Sequence, residues 1–197
     1  MKKTDLQEYQ EELKLKLNQV FSREVAQTEW SSMINERDLF IYSPRIDVAV
    51  GPFATENTYA YEYDEFFNNA DIQDFLRDLY EANRVNLGMI NDDFVQVPSF
   101  EVMIYMNHNA RCFMAIEIEN FVSHKHIMGG AINASALGRI GVVMPWSQEK
   151  LRSFVRFVRY LHYLRYARKN TFDTSNLLIV TKEQMETAIQ NRIDNVR

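Results

Sequence analysis

Apolar residues recur at helical spacing in two stretches of this chain. From Leu6 to about Val25 they return through Leu13 and Leu17, which predicts an amphipathic opening helix. Asp71 to Asn83 shows the same period, with an apolar stripe of Ile72, Phe75, Leu76, Leu79 and Tyr80. The chain is therefore expected to cover its core with amphipathic helices.

Between and after these stretches, the pattern changes to short apolar runs and to alternation with period two, which is typical of strands. Six strands are predicted, at Leu39 to Tyr42, Arg45 to Val50, Glu101 to Met106, Cys112 to Glu119, Ile140 to Met144 and Asn176 to Val180. Gly51-Pro52 ends the second strand, and the polar segment Asn107 to Arg111 suits a hairpin turn between the third and the fourth.

Capping signals mark the remaining helices. Ser123 suits the N-cap of a helix that ends at Gly138, a residue fitted to a left-handed C′ position. Pro145 and Ser147 introduce a long helix to about Lys169, and Thr181 with Gln184 makes a capping box for the last helix. The order of elements predicts one α/β domain over residues 1–197, a central mixed β-sheet flanked by helices, with an acidic helical insertion or cover at about 55–93.

Charge is distributed unevenly along the 197 residues, although the net charge is −5. Thr55 to Val85 holds eight acidic and two basic residues, whereas Lys150 to Lys169 holds seven basic residues and no carboxylate. Hydrophobic residues make up 46% of the chain, but no uncharged run is long enough to cross a bilayer. A cytoplasmic protein without a membrane partner is expected, and its single cysteine, Cys112, is expected to be a core residue.

Carboxylates at alternate strand positions are the candidate chemistry. Glu117 and Glu119 share one face of a strand whose other face is apolar, and Asp47 lies between Ile46 and Val48 on another strand. If the strands are close together, the three acids converge, and a hard divalent cation is the usual way to relieve their repulsion. The alternative is that Glu117 and Glu119 belong to an ordinary solvated sheet face.

The arrangement resembles the PD-(D/E)xK nuclease superfamily, whose members have the restriction-endonuclease-like fold. The segments that carry the resemblance are SPRIDVAVGP around Asp47, AIEIEN around Glu117 and Glu119, and the following SHKHIMGGAINASALGRIGVVMP, read as helix and strand. Glu119 occupies the place of the usual motif lysine, as glutamate does in some restriction endonucleases of the family. Asp93 is the alternative candidate for the first acid.

The resemblance implies metal-dependent hydrolysis of phosphodiester bonds. Asp47, Glu117 and the main-chain carbonyl of Ile118 would hold Mg²⁺, with Mn²⁺ as a substitute, and Glu119 would accept a proton from water or help to bind a second metal ion. Lys125 could replace the missing lysine; the alternative is that it is an exposed surface lysine.

A basic face on the long helix is the candidate nucleic-acid contact. A step of about 100° per residue groups Arg152, Arg156, Arg159 and Tyr163 on one side of that helix. The alternative is a solvated face whose arginines pair with the acidic segment. The sequence as a whole predicts a DNA endonuclease, which could act as a homodimer; the competing prediction is a catalytically inactive nuclease-like module that binds nucleic acid or protein.

Overall fold

The computed structural model describes residues 4–33, 43–55, 61–89, 96–120, 124–169 and 173–195. Its strands form one sheet in the order β1 to β5, with β1 at Ala26–Ser31, β2 at Arg45–Phe53, β3 at Cys112–Glu119, β4 at Gly138–Pro145 and β5 at Leu177–Ile179. β1, β2 and β3 are antiparallel neighbours, whereas β3, β4 and β5 run parallel. The mixed sheet predicted from the sequence is confirmed.

Helices cover both faces of this sheet. Those described are α1 at Asp5–Val20, α2 at Glu62–Phe67, α3 at Ala70–Leu87, α4 at Phe100–Met103, α5 at His124–Leu137, α6 at Gln148–Tyr166 and α7 at Lys182–Asn195. We call the side that packs against α1, α2, α3, α4 and α7 the α1 face, and the side that packs against α5 and α6 the α6 face. None of the helices in the described ranges is both long and apolar enough to cross a membrane.

Alternation along β3 divides the core between the two faces. Ile116 and Ile118 are buried on the α1 face with Leu13 and Leu17 of α1. Ala115, one residue before Ile116, is buried on the α6 face, where it packs in the cluster that includes Phe154 of α6. Each face therefore buries its own apolar cluster, as a sheet between two helical layers requires. Cys112 is buried, as predicted.

The capped helices agree with the sequence. Ser147 is the N-cap of α6, and its side chain accepts a hydrogen bond from the Lys150 amide. Thr181 and Gln184 exchange side-chain and backbone hydrogen bonds before α7, which confirms the predicted capping box. Of the other predicted features, Leu39 to Tyr42, Ser123 and Asp93 lie outside the described residues.

The acidic segment contributes a structural helix to the α1 face. Ile72, Phe75 and Leu79 of α3 are buried in the core cluster of that face. The same helix also meets the edge strand β5, because Asn83 Oδ1 accepts a hydrogen bond from the Ile179 amide and Asn86 Nδ2 donates one to the Ile179 carbonyl. The side-chain amides of Asn83 and Asn86 therefore form the hydrogen bonds that a sixth strand would form with these main-chain groups of β5.

The predicted hairpin before β3 is wrong. Residues 100–103 form the short helix α4, where a strand was expected at Glu101 to Met106. Ser99 caps this helix, since its side chain accepts a hydrogen bond from the Val102 amide. Asn107 Nδ2 then donates to the carbonyls of Ser135 and Gly138, which ties the expected turn to the end of α5. The apolar residues of this segment reach the core from a helix instead of a strand, so tertiary contacts override the local strand pattern.

Gly138 does not end its helix in the left-handed conformation that the sequence suggested. No described glycine has a positive φ, and Gly138 is the first residue of β4. A Cβ at this position would lie 2.8 Å from the Ala115 main-chain nitrogen. The glycine is needed for close approach of β3 and β4, and α5 leads directly into the strand. The strand β1, in contrast, was absent from the sequence prediction altogether.

Candidate functional site

Asp47 lies where the pairing between β2 and β3 ends. The described register runs to Val48 opposite Ile116, and one further step would place Asp47 opposite Glu117. Asp47 Oδ2 accepts a hydrogen bond of 2.7 Å from the Ile118 amide, a donor that continued pairing with β2 would use. Its Oδ1 accepts a second hydrogen bond, 2.9 Å long, from Nε2 of Gln10 on α1. The carboxyl group is therefore fixed by one strand and one helix.

Glu117 lies beside Asp47 and beneath α5. The two carboxyl groups are joined by a side-chain hydrogen bond, and Glu117 makes another with Asn133 of α5. Gly130 passes directly above, because a Cβ built on it would lie 3.5 Å from the Glu117 Cβ. The site is therefore built at one end of the sheet from residues of both faces, with Gln10 contributed by α1 and Asn133 by α5.

Two further carboxylates surround this pair. Glu119 is half-buried two residues along β3, and its carbonyl accepts a hydrogen bond of 3.1 Å from the Trp146 amide. Glu29 of β1 lies between the pairs that join Thr28 to Val48 and Trp30 to Ile46, which aligns it with Asp47. Glu29 has a φ of 49°, a left-handed conformation inside a strand. Carboxylates of three adjacent strands thus lie in one row.

The electrostatics of the site follow from burial and like charge. Burial, together with the negative charges of Glu29 and Glu119, raises the pKa of Asp47 to about 6, although the hydrogen bond from the Ile118 amide acts in the opposite direction. Burial also raises the pKa of Glu117 well above its ordinary value, and the negative charge of Asp47 adds to this effect. The pair therefore holds a proton, or would hold a cation, more readily than separate carboxylates would.

The donor set fits a Mg²⁺ ion, which uses one or two carboxylates and keeps several waters. Asp47 and Glu117 supply two adjacent carboxyl groups, and the hydrogen bonds from Gln10 and the Ile118 amide use only one lone pair of each Asp47 oxygen. No group of three or more His, Cys, Asp or Glu side chains in the described part of the chain is arranged to hold a metal ion. The fit therefore rests on the pair and on water, without a third protein carboxylate.

The remaining predicted site groups, Ile118 and Lys125, differ in where they lie relative to this centre. The Ile118 main chain contacts Asp47 through its amide, and Ile118 is paired with Met144 of β4. Lys125 is exposed in the first turn of α5, about 180° around the helix from Ala134, which is buried against the sheet. The structure therefore brings Asp47 and Glu117 together but turns Lys125 away from the sheet.

The predicted nucleic-acid face of α6 is exposed. Arg152, Arg156, Arg159 and Tyr163 all point away from the sheet, while Phe154 and Val158 of the same helix are buried beneath it. Among the described ion pairs, the acids of α3 and α4 pair with Arg77, Arg84 and Arg192. The contact with nucleic acid itself stays a prediction.

Sequence reasoning missed Gln10, Glu29 and Asn133. Gln10 carried a usable signal, because it lies three and seven residues before Leu13 and Leu17 and is the polar member of their buried stripe. Glu29 was missed together with its strand. Asn133 gave no signal, since only the packing of α5 over β3 brings it to Glu117.

Comparison with known proteins identifies no relative. No family model matches the chain, and neither a curated protein nor a solved structure matches it. The fold is described as α/β with a five-stranded mixed sheet, and the function has to be argued from the site.

Proposed function

We propose that this protein is a metal-dependent nuclease that hydrolyses phosphodiester bonds of DNA, as an endonuclease related to the PD-(D/E)xK superfamily. The observation that carries the proposal is the contact between Asp47 and Glu117 on adjacent strands. A half-buried pair of acids with raised pKa values destabilises the folded protein when both groups are ionised. Such pairs are typical of functional sites. A mixed sheet with helices on both faces is also the architecture that the resemblance implies.

The roles follow from the positions of the side chains. Asp47 and Glu117 would hold Mg²⁺ or Mn²⁺, together with the main-chain carbonyl of Ile118. Gln10 and Asn133 would keep the two carboxyl groups in place by hydrogen bonding. A metal bound there would polarise the scissile phosphate and lower the pKa of a bound water.

Proton transfer would fall to a group at the edge of the pair. Glu119 is the candidate to accept the proton of the attacking water, since its charge already acts on both Asp47 and Glu117. Lys125 is the second candidate and would have to reach the site from the outer side of α5. Arg152, Arg156 and Arg159 would bind the phosphates of the substrate, and Tyr163 on the same face would contact the nucleic acid beside them.

The competing proposal is a nuclease-like module that binds nucleic acid or protein without cleaving. Two observations favour it: glutamate stands in the place of the motif lysine at position 119, and Lys125 lies on the side of α5 opposite to its buried residues. In that case the carboxylate pair would bind a cation, or hold a proton, without chemistry.

A magnesium titration separates the two proposals. We expect Mg²⁺ at a hundred times its Kd to raise the free energy of unfolding by about 2.7 kcal/mol, and to support nicking of supercoiled plasmid. Asp47→Asn and Glu117→Gln should lose both effects, and the matched exposed variant Glu65→Gln of α2 should keep both. Binding of Mg²⁺ without nicking, in wild-type protein that still shifts DNA, would favour the inactive module. If Mg²⁺ neither stabilises nor activates the wild type, the metal site is wrong.

A further inference from the structure

The helices of the two faces carry opposite charge. α5 and α6 together contain one acidic residue, Glu149, against Lys125, Lys150, Arg152, Arg156, Arg159 and Arg165. On the α1 face, α2 has three acidic residues and no basic one, and α3 has four acidic residues and two basic ones. An acidic protein therefore presents one basic side, and a polyanion is the partner whose charge complements it.

Three tyrosines extend the arginine stripe along the same helix. Tyr160, Tyr163 and Tyr166 are 54%, 51% and 69% exposed, and they follow one another every three residues. Tyrosine usually buries most of its ring, so three exposed rings in two turns of one helix are unusual for a surface that only meets water. Rings at successive levels, about 4.5 Å apart along the axis, can stack on unpaired bases.

The position of α6 connects this stripe to the carboxylate site. The helix follows β4 directly, and the Trp146 amide just before it donates a hydrogen bond to the Glu119 carbonyl. Lys150 Nζ, in its first turn, donates a 2.7 Å hydrogen bond to Oδ1 of Asn120, the residue after β3. The arginine half of the stripe thus begins beside Glu119, and the tyrosine half lies further from it.

We propose that the outer face of α6 binds a single strand of nucleic acid. Arg152, Arg156 and Arg159 bind consecutive phosphates, and Tyr160, Tyr163 and Tyr166 stack on unpaired bases. This inference rests on the proposed function, because it names the form of nucleic acid that reaches the carboxylate pair. Duplex is excluded as the preferred ligand since its base faces are covered by neighbouring base pairs, whereas every base of a single strand has a free face for a ring.

A binding experiment in EDTA isolates this surface from cleavage. Fluorescence anisotropy of a labelled thymidine oligonucleotide, with the full chain, is compared with a hairpin duplex of the same charge. We expect the single strand to bind at least about tenfold more tightly, because three stacking contacts add to the phosphate contacts. The plot of log K against log salt concentration should have a slope of about −2, the value for three phosphates on a single strand.

Variants of the two residue types should give different signatures. Replacement of Tyr163 by Leu should weaken binding by about five- to a hundredfold with no change of salt slope, whereas Tyr163→Phe should retain binding. Arg156→Gln should reduce the magnitude of the slope by about 0.7. The matched controls on the α1 face, Tyr61→Leu and Arg84→Gln, should change neither quantity.

Three results would overturn the inference. The first is equal or tighter binding of the duplex, and the second is unchanged binding by the leucine variants of all three tyrosines. The third is that the protein binds no oligonucleotide but sediments as a dimer, which Arg156→Gln dissociates. The last result would make an acidic surface of a second copy the partner of α6. Loss of cleavage with intact single-strand binding would leave this inference standing and reject the nuclease, while Mg²⁺-dependent cleavage of duplex without single-strand binding would do the reverse.

Discussion

Buried charge is handled in two different ways at the two ends of the β3–β4 pair. At the start of β4, Arg139 is fully buried, its Nε donates to the Ile104 carbonyl at 2.7 Å, and its Nη2 lies 3.6 Å from Oδ1 of Asp64. Near the other end, Asp47 and Glu117 bring two groups of the same sign together. The Arg139 guanidinium is therefore surrounded by a carboxylate and main-chain carbonyls, whereas each carboxyl group of the Asp47–Glu117 pair faces a group of its own sign.

Arg139 supports the fold, whereas the carboxylate pair works against it. The guanidinium group of Arg139 also contacts the Asn107 carbonyl, the His108 ring and the rings of Tyr105 and Phe67, which lie 5.4 and 5.7 Å from the guanidinium carbon. It therefore holds the segment after α4 against β4. The carboxylate pair has amide donors but no buried cation among its described contacts, so its charge is a cost to folding that a ligand can remove.

The largest effect is expected when the buried cation is removed. Arg139→Met should lower the free energy of unfolding by about 3–5 kcal/mol, because the carbonyls of Ile104 and Asn107 then lose their buried donor. Urea unfolding measures this loss, with Arg84→Met, at an exposed position of α3, as the control that should stay within about 0.5 kcal/mol. If Arg139→Met lowers the free energy of unfolding by less than about 1 kcal/mol, the contacts around Arg139 do not stabilise the fold.

The carboxylate pair should reveal itself in the dependence of stability on pH. The pKa of Asp47 is about 6 in the folded protein, above the ordinary value of 3.8, so the folded state binds the proton more tightly. Stability from this group is complete below about pH 4 and declines by about 3 kcal/mol as the pH rises through 6, with the raised pKa of Glu117 extending the decline.

Urea unfolding of the wild type and of Asp47→Asn, across this pH range without metal, isolates the contribution of the pair. The difference between the two proteins should grow in favour of Asp47→Asn as the pH rises. A difference that stays constant with pH would contradict the raised pKa.

Neutralising one member of the pair should stabilise the metal-free protein. At pH 8 in EDTA, Glu117→Gln should raise the free energy of unfolding by about 1–2 kcal/mol, because the amide donates a hydrogen bond to Asp47 where two anions repelled each other. Thermal or urea unfolding checks the sign, which is opposite to that expected for Arg139→Met. Destabilisation by this conservative change would mean that the pair supports the fold.

The smallest effect concerns the glycine above Glu117. Gly130→Ala should stabilise the protein by about 0.5–1 kcal/mol, since alanine favours the helix and its Cβ would meet Glu117 atoms at ordinary contact distances of 3.5 and 3.8 Å. Gly138→Ala is the contrasting variant and should destabilise, because its Cβ would lie 2.4 Å from the Ile140 carbonyl oxygen. Equal effects of the two substitutions would contradict the packing described for α5.

The sequence predicted those parts of the fold that local pattern controls. The stripe of α3, the cap of α6 at Ser147 and the buried run of β4 are each visible within about twenty residues. Alternation of Val102, Ile104 and Met106 with other residues predicts a strand at Glu101 to Met106, whereas Ser99 and the surrounding packing favour the helix observed at Phe100–Met103. The local alternation of residues carries no information about these long-range contacts.

The candidate site was predictable to the same extent. Asp47 and Glu117 could be selected because each is an acid inside an apolar strand, and the described contact between them agrees with the expected convergence. Gln10 and Asn133 reach the pair from helices that are distant in sequence, and no sequence pattern around Asn133 indicates its contact with Glu117. The chemistry assigned to the pair stays a prediction that the magnesium titration tests.

The two asparagines that α3 places along β5 have a consequence for the behaviour of the protein at high concentration. Asn83 and Asn86 occupy the Ile179 amide and carbonyl, so this border of the sheet offers no template at that residue for a strand from another molecule. The acidic helix therefore blocks addition of a strand from another molecule at this edge, and such addition at β5 would first require α3 to detach.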